Sequence, residues 1–123
     1  GTDVAIVTYG NGVFLAEQAA QVLRVKHGVA SRVVDMRWLA PLAVDAIVAS
    51  VEPCAQVVIV DECRETGSQS EALMAHLAER DVANLSRLCA TDSFIATGPA
   101  SGATLPSCDS IVNAVLAGRA EPT

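Results

Sequence analysis

Two short segments of the chain hold the residues whose types and spacing suit chemistry. In the first, Gly10-Asn11-Gly12 stands between an apolar run and a segment of helical spacing. Backbone N–H groups exposed there, at a helix N-terminus, could meet a phosphate or carboxylate. In the second, Arg64 adds a cation beside Thr66, Gly67 and Ser68, small polar residues that open a helix and can donate to an anion. The plainer reading of both is structural. Glycines turn a chain sharply and let a helix lie close to a sheet, while Thr66 or Ser68 can cap the helix with Arg64 paired to Glu65 or Asp61. A dinucleotide fingerprint is not met, because Leu15 stands three positions beyond Gly12 and only Asp35 is placed to hold a ribose.

The remaining reactive side chains do not combine. Asp61 and Glu62 are neighbours at the end of an extended run, so they project to opposite faces and form no acid–base pair. His27 and His76 each lack a second ligand at metal spacing, and no metal site is expected. No serine lies in a G-x-S-x-G turn, and none of the four cysteines, Cys54, Cys63, Cys89 and Cys108, has an evident base or a C-x-x-C partner. They are expected to be reduced thiols. Trp38, the single tryptophan, serves either as an interface anchor or as a lid on the core edge. No catalytic residue is assigned, and the chain alone is expected to be inactive.

The elements that must position these residues follow from apolar periodicity. Residues 4–7 form a continuous apolar run, and residues 13–27 have helical spacing, with Leu15, Ala16, Ala19, Val22 and Leu23 on one side and Gly28 as the stop. A second strand covers residues 30–35. A short helix over 45–51 places Val44, Ile47, Val48 and Val51 on one stripe, with Pro53 beyond it. Val57-Val58-Ile59-Val60 is unbroken and β-branched, as a strand covered on both faces must be. A helix over 70–80, a weaker strand over 85–90, a long polar loop over 91–107 and a last helix over 109–117 follow, with Ser107 or Asp109 as N-cap and Gly118 as stop. Strands alternating with helices predict an α/β fold of three layers, α/β/α, with a mostly parallel sheet in the order 2-1-3-4. Its switch point lies between strands 1 and 3, where ligands of open sheets bind, and both candidate segments converge there.

A chain of 123 residues suits one domain, residues 1–123, and at that size folding hides roughly two-thirds of the unfolded surface. The net charge of -6 and an aromatic content of 3% exclude a nucleic-acid groove, which needs basic and stacking residues. The same charge favours a basic partner, or serves solubility alone. No run reaches the roughly 20 apolar residues of a membrane span, and no leader pattern opens the chain, so a cytoplasmic location is expected. Because Gly1-Thr2-Asp3 enters the first strand almost at once without a methionine, the chain is expected to be a fragment of a larger multidomain enzyme.

Three segments in order carry a family resemblance: Thr8-Tyr9-Gly10-Asn11-Gly12-Val13, then Asp35-Met36-Arg37-Trp38-Leu39-Ala40-Pro41-Leu42, then Val58-Ile59-Val60-Asp61-Glu62. With Leu105-Pro106-Ser107 near the end, the chain resembles the transketolase C-terminal domain. It is most similar to the β subunit, or β portion, of thiamine-dependent 2-oxoacid dehydrogenase E1 components. The Ser93-Phe94-Ile95-Ala96 stretch departs from the usual E1 β pattern, which carries prolines there.

The resemblance implies the third of three domains, with thiamine diphosphate and Mg2+ held between the other two and no cofactor in this chain. It implies association with other E1 domains or subunits as a homodimer or heterotetramer, and docking of the basic subunit-binding domain of the E2 acyltransferase. An antiparallel edge strand that the family carries just before the position of Gly1 is missing here, which predicts edge contacts or self-association. A regulatory small molecule in the crevice between Gly10-Asn11-Gly12 and Arg64 to Ser68 is the alternative role.

Overall fold

Alternation along two central strands decides which helix covers which face. In the computed structural model, which describes residues 1–94 and 96–120, β1 (Val4–Thr8) and β3 (Gln56–Arg64) are apolar on both faces over residues 4–7 and 57–60. Val4, Ile6, Val58 and Val60 pack under α1 (Asn11–His27) and α4 (Cys108–Ala120), against Ala16, Leu23, Ile111 and Val115. Ala5, Val7, Val57 and Ile59 pack on the other face under α2 (Val44–Val51) and α3 (Gln69–Glu79), against Ile47, Val51, Leu73 and Leu77. β2 (Ser31–Asp35) and β4 (Leu85–Ala90) flank the central pair, giving the order β2-β1-β3-β4 with every pairing parallel. The expected three-layer architecture and strand order are therefore observed. β2 and β4 are the sheet's edges.

Local signals fix several element ends. Gly28 takes the left-handed conformation, φ 66°, and closes α1 with its amide on the Leu23 carbonyl. Ser107 and Ser110 cap α4 reciprocally: the Ser110 amide donates to Ser107 Oγ at 3.1 Å, and the Ser107 amide donates to Ser110 Oγ at 2.7 Å.

Three expectations need correction. α1 starts at Asn11, two residues before the apolar spacing sets in, because Gly10 at φ 60° turns the chain at once. Gly118 does not stop α4, which runs through it; a Cβ there would meet the Gln56 side-chain amide, so the glycine permits close approach of helix and strand. The amide itself donates to the Val115 carbonyl at 3.2 Å.

The third correction bears on the site. β3 continues four residues past its apolar run, to Arg64, because β4 still pairs with it there. Asp61 lies opposite Cys89 and Arg64 opposite Ala90, with a bulge between. Arg64 therefore ends a strand rather than sitting in a loop. Ile95 of the departing stretch lies outside the described residues.

Candidate functional site

The order β2-β1-β3-β4 puts the ends of β1 and β3 side by side, and odd-numbered residues of both face α2 and α3. Tyr9 and Asp61 share that parity. The Tyr9 hydroxyl donates to Asp61 Oδ1 at 2.7 Å and lies 3.5 Å from Cys63 Sγ. The Cys63 amide donates to the same carboxylate oxygen at 2.8 Å, and the Ser70 amide to Oδ2 at 3.2 Å. Asp61, only 1% exposed, thus binds the end of β1, the bulge of β3 and the first turn of α3 together. Burial pushes its carboxyl up, but the hydrogen bonds from Cys63, Tyr9 and Ser70 outweigh that and hold it below the usual range. The Tyr9 hydroxyl is pushed far above its ordinary value by burial and by its bonds to Cys63 and Asp61.

Glu62 turns to the opposite face, as strand parity requires, and accepts the Asn11 side-chain amide at 2.8 Å. The two carboxylates are not a catalytic pair. In the glycine turn, the Gly12 amide donates to the Tyr9 carbonyl and the Val13 amide to the Gly10 carbonyl, each at 3.2 Å. Those two N–H groups are therefore engaged within the chain. Gly12 itself rests on the Thr8 side chain, and a Cβ there would clash with Thr8 Oγ1.

The second segment is also closed by its own contacts. The Thr66 amide and hydroxyl both donate to Asp92, at 3.0 and 2.5 Å, and these bonds hold the Asp92 carboxyl below its usual value. The Gly67 amide donates to Glu71 Oε2 at 2.6 Å. Ser68 occupies the N-cap position of α3 without a cap hydrogen bond, its hydroxyl lying 2.7 Å from Ser70 Oγ. Asp61 and Glu71 do the capping instead. Nor does Arg64 pair with Glu65 or Asp61 among the described residues; Glu65 faces Arg87 at 4.0 Å.

The expected crevice is consequently divided. Tyr9–Asp61 and Asn11–Glu62 bridge the glycine turn to β3. A depression of about 610 Å³ opens instead beside β4, lined by Arg64, Thr66, Asp92, Ser93 and Phe94. Of the candidate residues, Arg64 and Thr66 reach it; Gly10, Asn11, Gly12, Gly67 and Ser68 do not line it. Tyr9 and Asp92 are the residues that sequence reasoning missed. Parity combined with strand order was a sufficient signal for Tyr9, whereas Asp92 has none short of the β3–β4 register.

Trp38, left open between interface and core edge, is 76% exposed beside a depression formed with Met36, Arg37, Ala43 and Ile47. All four cysteines are free. At the switch point Asp61 is occupied by the Tyr9 hydroxyl and two backbone amides and Glu62 by Asn11; among the described residues there is no cluster of three His, Cys, Asp or Glu suited to a metal ion. Among the described residues no helix is long and apolar enough to cross a membrane.

Comparison with known proteins agrees with this architecture. The family model for the transketolase C-terminal domain matches residues 1–111. The pyruvate dehydrogenase E1 component subunit beta of Staphylococcus aureus is 34% identical over 116 residues, which cover 91% of this chain and 35% of that protein. Its counterpart in Bacillus subtilis is 32% identical over 111 residues, covering 87% of the chain and 34% of the relative. The chain thus spans about a third of the length of these curated relatives.

Among solved structures, a split-gene transketolase described as an inactive β4 tetramer superposes with a TM-score of 0.85 at 28% identity, over 96% of this chain and 39% of that one. A 2-oxoglutarate:ferredoxin oxidoreductase from Magnetococcus marinus shares the fold, with a TM-score of 0.66 at 20% identity, over 95% of this chain and 18% of that one. With the model matched over most of its length and E1 β subunits more than 30% identical to it, this chain belongs to the transketolase C-terminal domain family.

Proposed function

We propose that the chain is the C-terminal assembly domain of a thiamine-diphosphate-dependent 2-oxoacid dehydrogenase E1 enzyme, acting in dimerisation and E2 docking rather than in chemistry. The observation that carries this reading is the closed switch point of a domain that matches its family model over residues 1–111. The groups that could react hold the fold together instead. In this reading the parent enzyme binds thiamine diphosphate and Mg2+ on its other domains, works in the cytoplasm, and is a homodimer or heterotetramer. The net charge of -6 suits a basic E2 subunit-binding domain, and exposed Trp38 supplies an apolar anchor of the kind that dominates interface energetics.

Titration calorimetry of the chain with that basic domain should give binding that weakens as salt rises. Trp38→Ala should weaken it about tenfold. Absence of binding at low salt overturns the docking role, and a parent reading frame without a pyrimidine domain upstream overturns the family role.

A second reading rests on the depression beside β4, where Arg64 and Thr66 face Phe94. Here the domain is a regulatory module that takes an anionic metabolite, the guanidinium pairing with phosphate or carboxylate. Calorimetry against phosphate-bearing metabolites should then show heat that Arg64→Ala reduces about tenfold. Heat unchanged by that substitution, or none at all, counts decisively against it.

A further inference from the structure

The outer face of α1 lacks the charges that a solvent-facing helix normally carries along its midline. Phe14, Gln18, Gln21 and Val25 occupy that line, all exposed, with Phe14 at 60% and Val25 at 69%. Their steps of four, three and four residues are those of a heptad seam, the pattern by which one helix packs along another. The charged residues Glu17 and Arg24 both stand on one flank of the seam, a full heptad apart. On the other flank, Val22 and Cys108 border a depression of about 510 Å³ between α1 and the start of α4.

This arrangement has a direction. If two copies of α1 ran parallel, the flank bearing Glu17 and Arg24 would meet the opposite flank, where Val22 stands, and neither charge would find a partner. If they run antiparallel, like flanks meet. Glu17 then faces Arg24 of the second copy, and Arg24 faces its Glu17. The same alignment sets Phe14 over Val25 and Gln18 over Gln21, so the two larger apolar groups cover each other at both ends and the amides meet in the middle. Such a contact is isologous and closes after two copies. With 17 residues at about 1.5 Å each, α1 offers a seam about 25 Å long.

We propose that this face of α1 seats a second copy of the chain, the two helices crossing antiparallel about a twofold axis with reciprocal Glu17–Arg24 pairs. The proposal rests on the assembly reading above and names the surface that performs it.

The test is sedimentation of the full chain over a concentration series, with circular dichroism to check that each variant is folded. The chain should form a reversible dimer. Glu17→Arg and Arg24→Glu should each weaken it about tenfold, since both reciprocal pairs become like-charged. The double variant should recover the original strength, and an equimolar mixture of the two single variants should associate better than either alone. Phe14→Lys should abolish the dimer.

A chain that stays monomeric at its highest soluble concentration overturns the proposal. So does a dimer indifferent to the single swaps, which is the behaviour of pairing at the exposed β2 edge, or a double variant as weak as the singles. A monomer that still binds the basic E2 domain overturns this interface and leaves E2 docking standing; a dimer that does not bind it does the reverse.

Discussion

Asp61→Asn should cost about 3 kcal/mol of stability in chemical denaturation at neutral pH, the loss expected when a buried carboxylate leaves one of its donors unpaired. The carboxylate accepts the Cys63 amide and the Tyr9 hydroxyl on one oxygen and the Ser70 amide on the other. An asparagine keeps a single acceptor oxygen, and its NH2 must face a donor. The Tyr9 hydroxyl can rotate and accept, but a backbone N–H cannot, so one buried amide is orphaned. Glu62→Gln, which alters only the exposed bond to Asn11, should change stability by less than about 0.5 kcal/mol.

The same substitution carries a pH signature. Because the folded Asp61 carboxyl is held below its ordinary value of 3.8, its contribution is fully present above that value and is lost as pH falls through the lower folded value. Asp92, lowered by its bonds from Thr66, acts in the same direction. The stability gap between the native chain and Asp61→Asn should therefore narrow below about pH 4. A gap that stays constant to pH 2 would mean that the bonds are not made to an ionised carboxylate.

Gly12→Ala should be destabilising even though alanine is the better helix former. The propensity gain is at most about 1 kcal/mol. Against it, the new Cβ would clash with Thr8 Oγ1, on a side chain 1% exposed whose branching at Cβ restricts rotation. Overpacking of this kind costs about 1–3 kcal/mol, so the net loss should be about 1.5 kcal/mol. Thr8→Ala in the same chain should return most of it, because the Thr8 hydroxyl is buried without a hydrogen-bond partner and its removal relieves the overlap. A double-mutant cycle measures this coupling directly. Additive effects would mean that Gly12 is required for another reason.

The contrast between what was legible and what was not has a physical basis. Val57 to Val60 read as a central strand because only a strand covered on both faces can be continuously apolar, and the helices on either side of it then fix a parallel order. Opposite projection of Asp61 and Glu62 followed from parity alone. The candidate site was less legible because sequence displays donors and acceptors without stating which will meet. Thr66 finds Asp92 26 positions away, and Tyr9 finds Asp61 52 positions away. Asn11, Thr66 and the Gly12 and Gly67 amides, which resembled parts of an anion cradle in one dimension, are engaged within the chain in three, whereas Arg64 lines the depression beside β4. Arg64 was read as a loop residue for the same reason: a charged end to an apolar run looks like an exit unless the neighbouring strand is known to continue beside it.

The Tyr9–Asp61 and Asn11–Glu62 bridges have a consequence for what the domain needs from its neighbours. A sheet whose rim is laced by its own side chains satisfies those polar groups without a neighbour to cover them. Such self-sufficiency resides in a few hydrogen bonds, separate from the outward-facing residues to which contacts with other proteins are assigned.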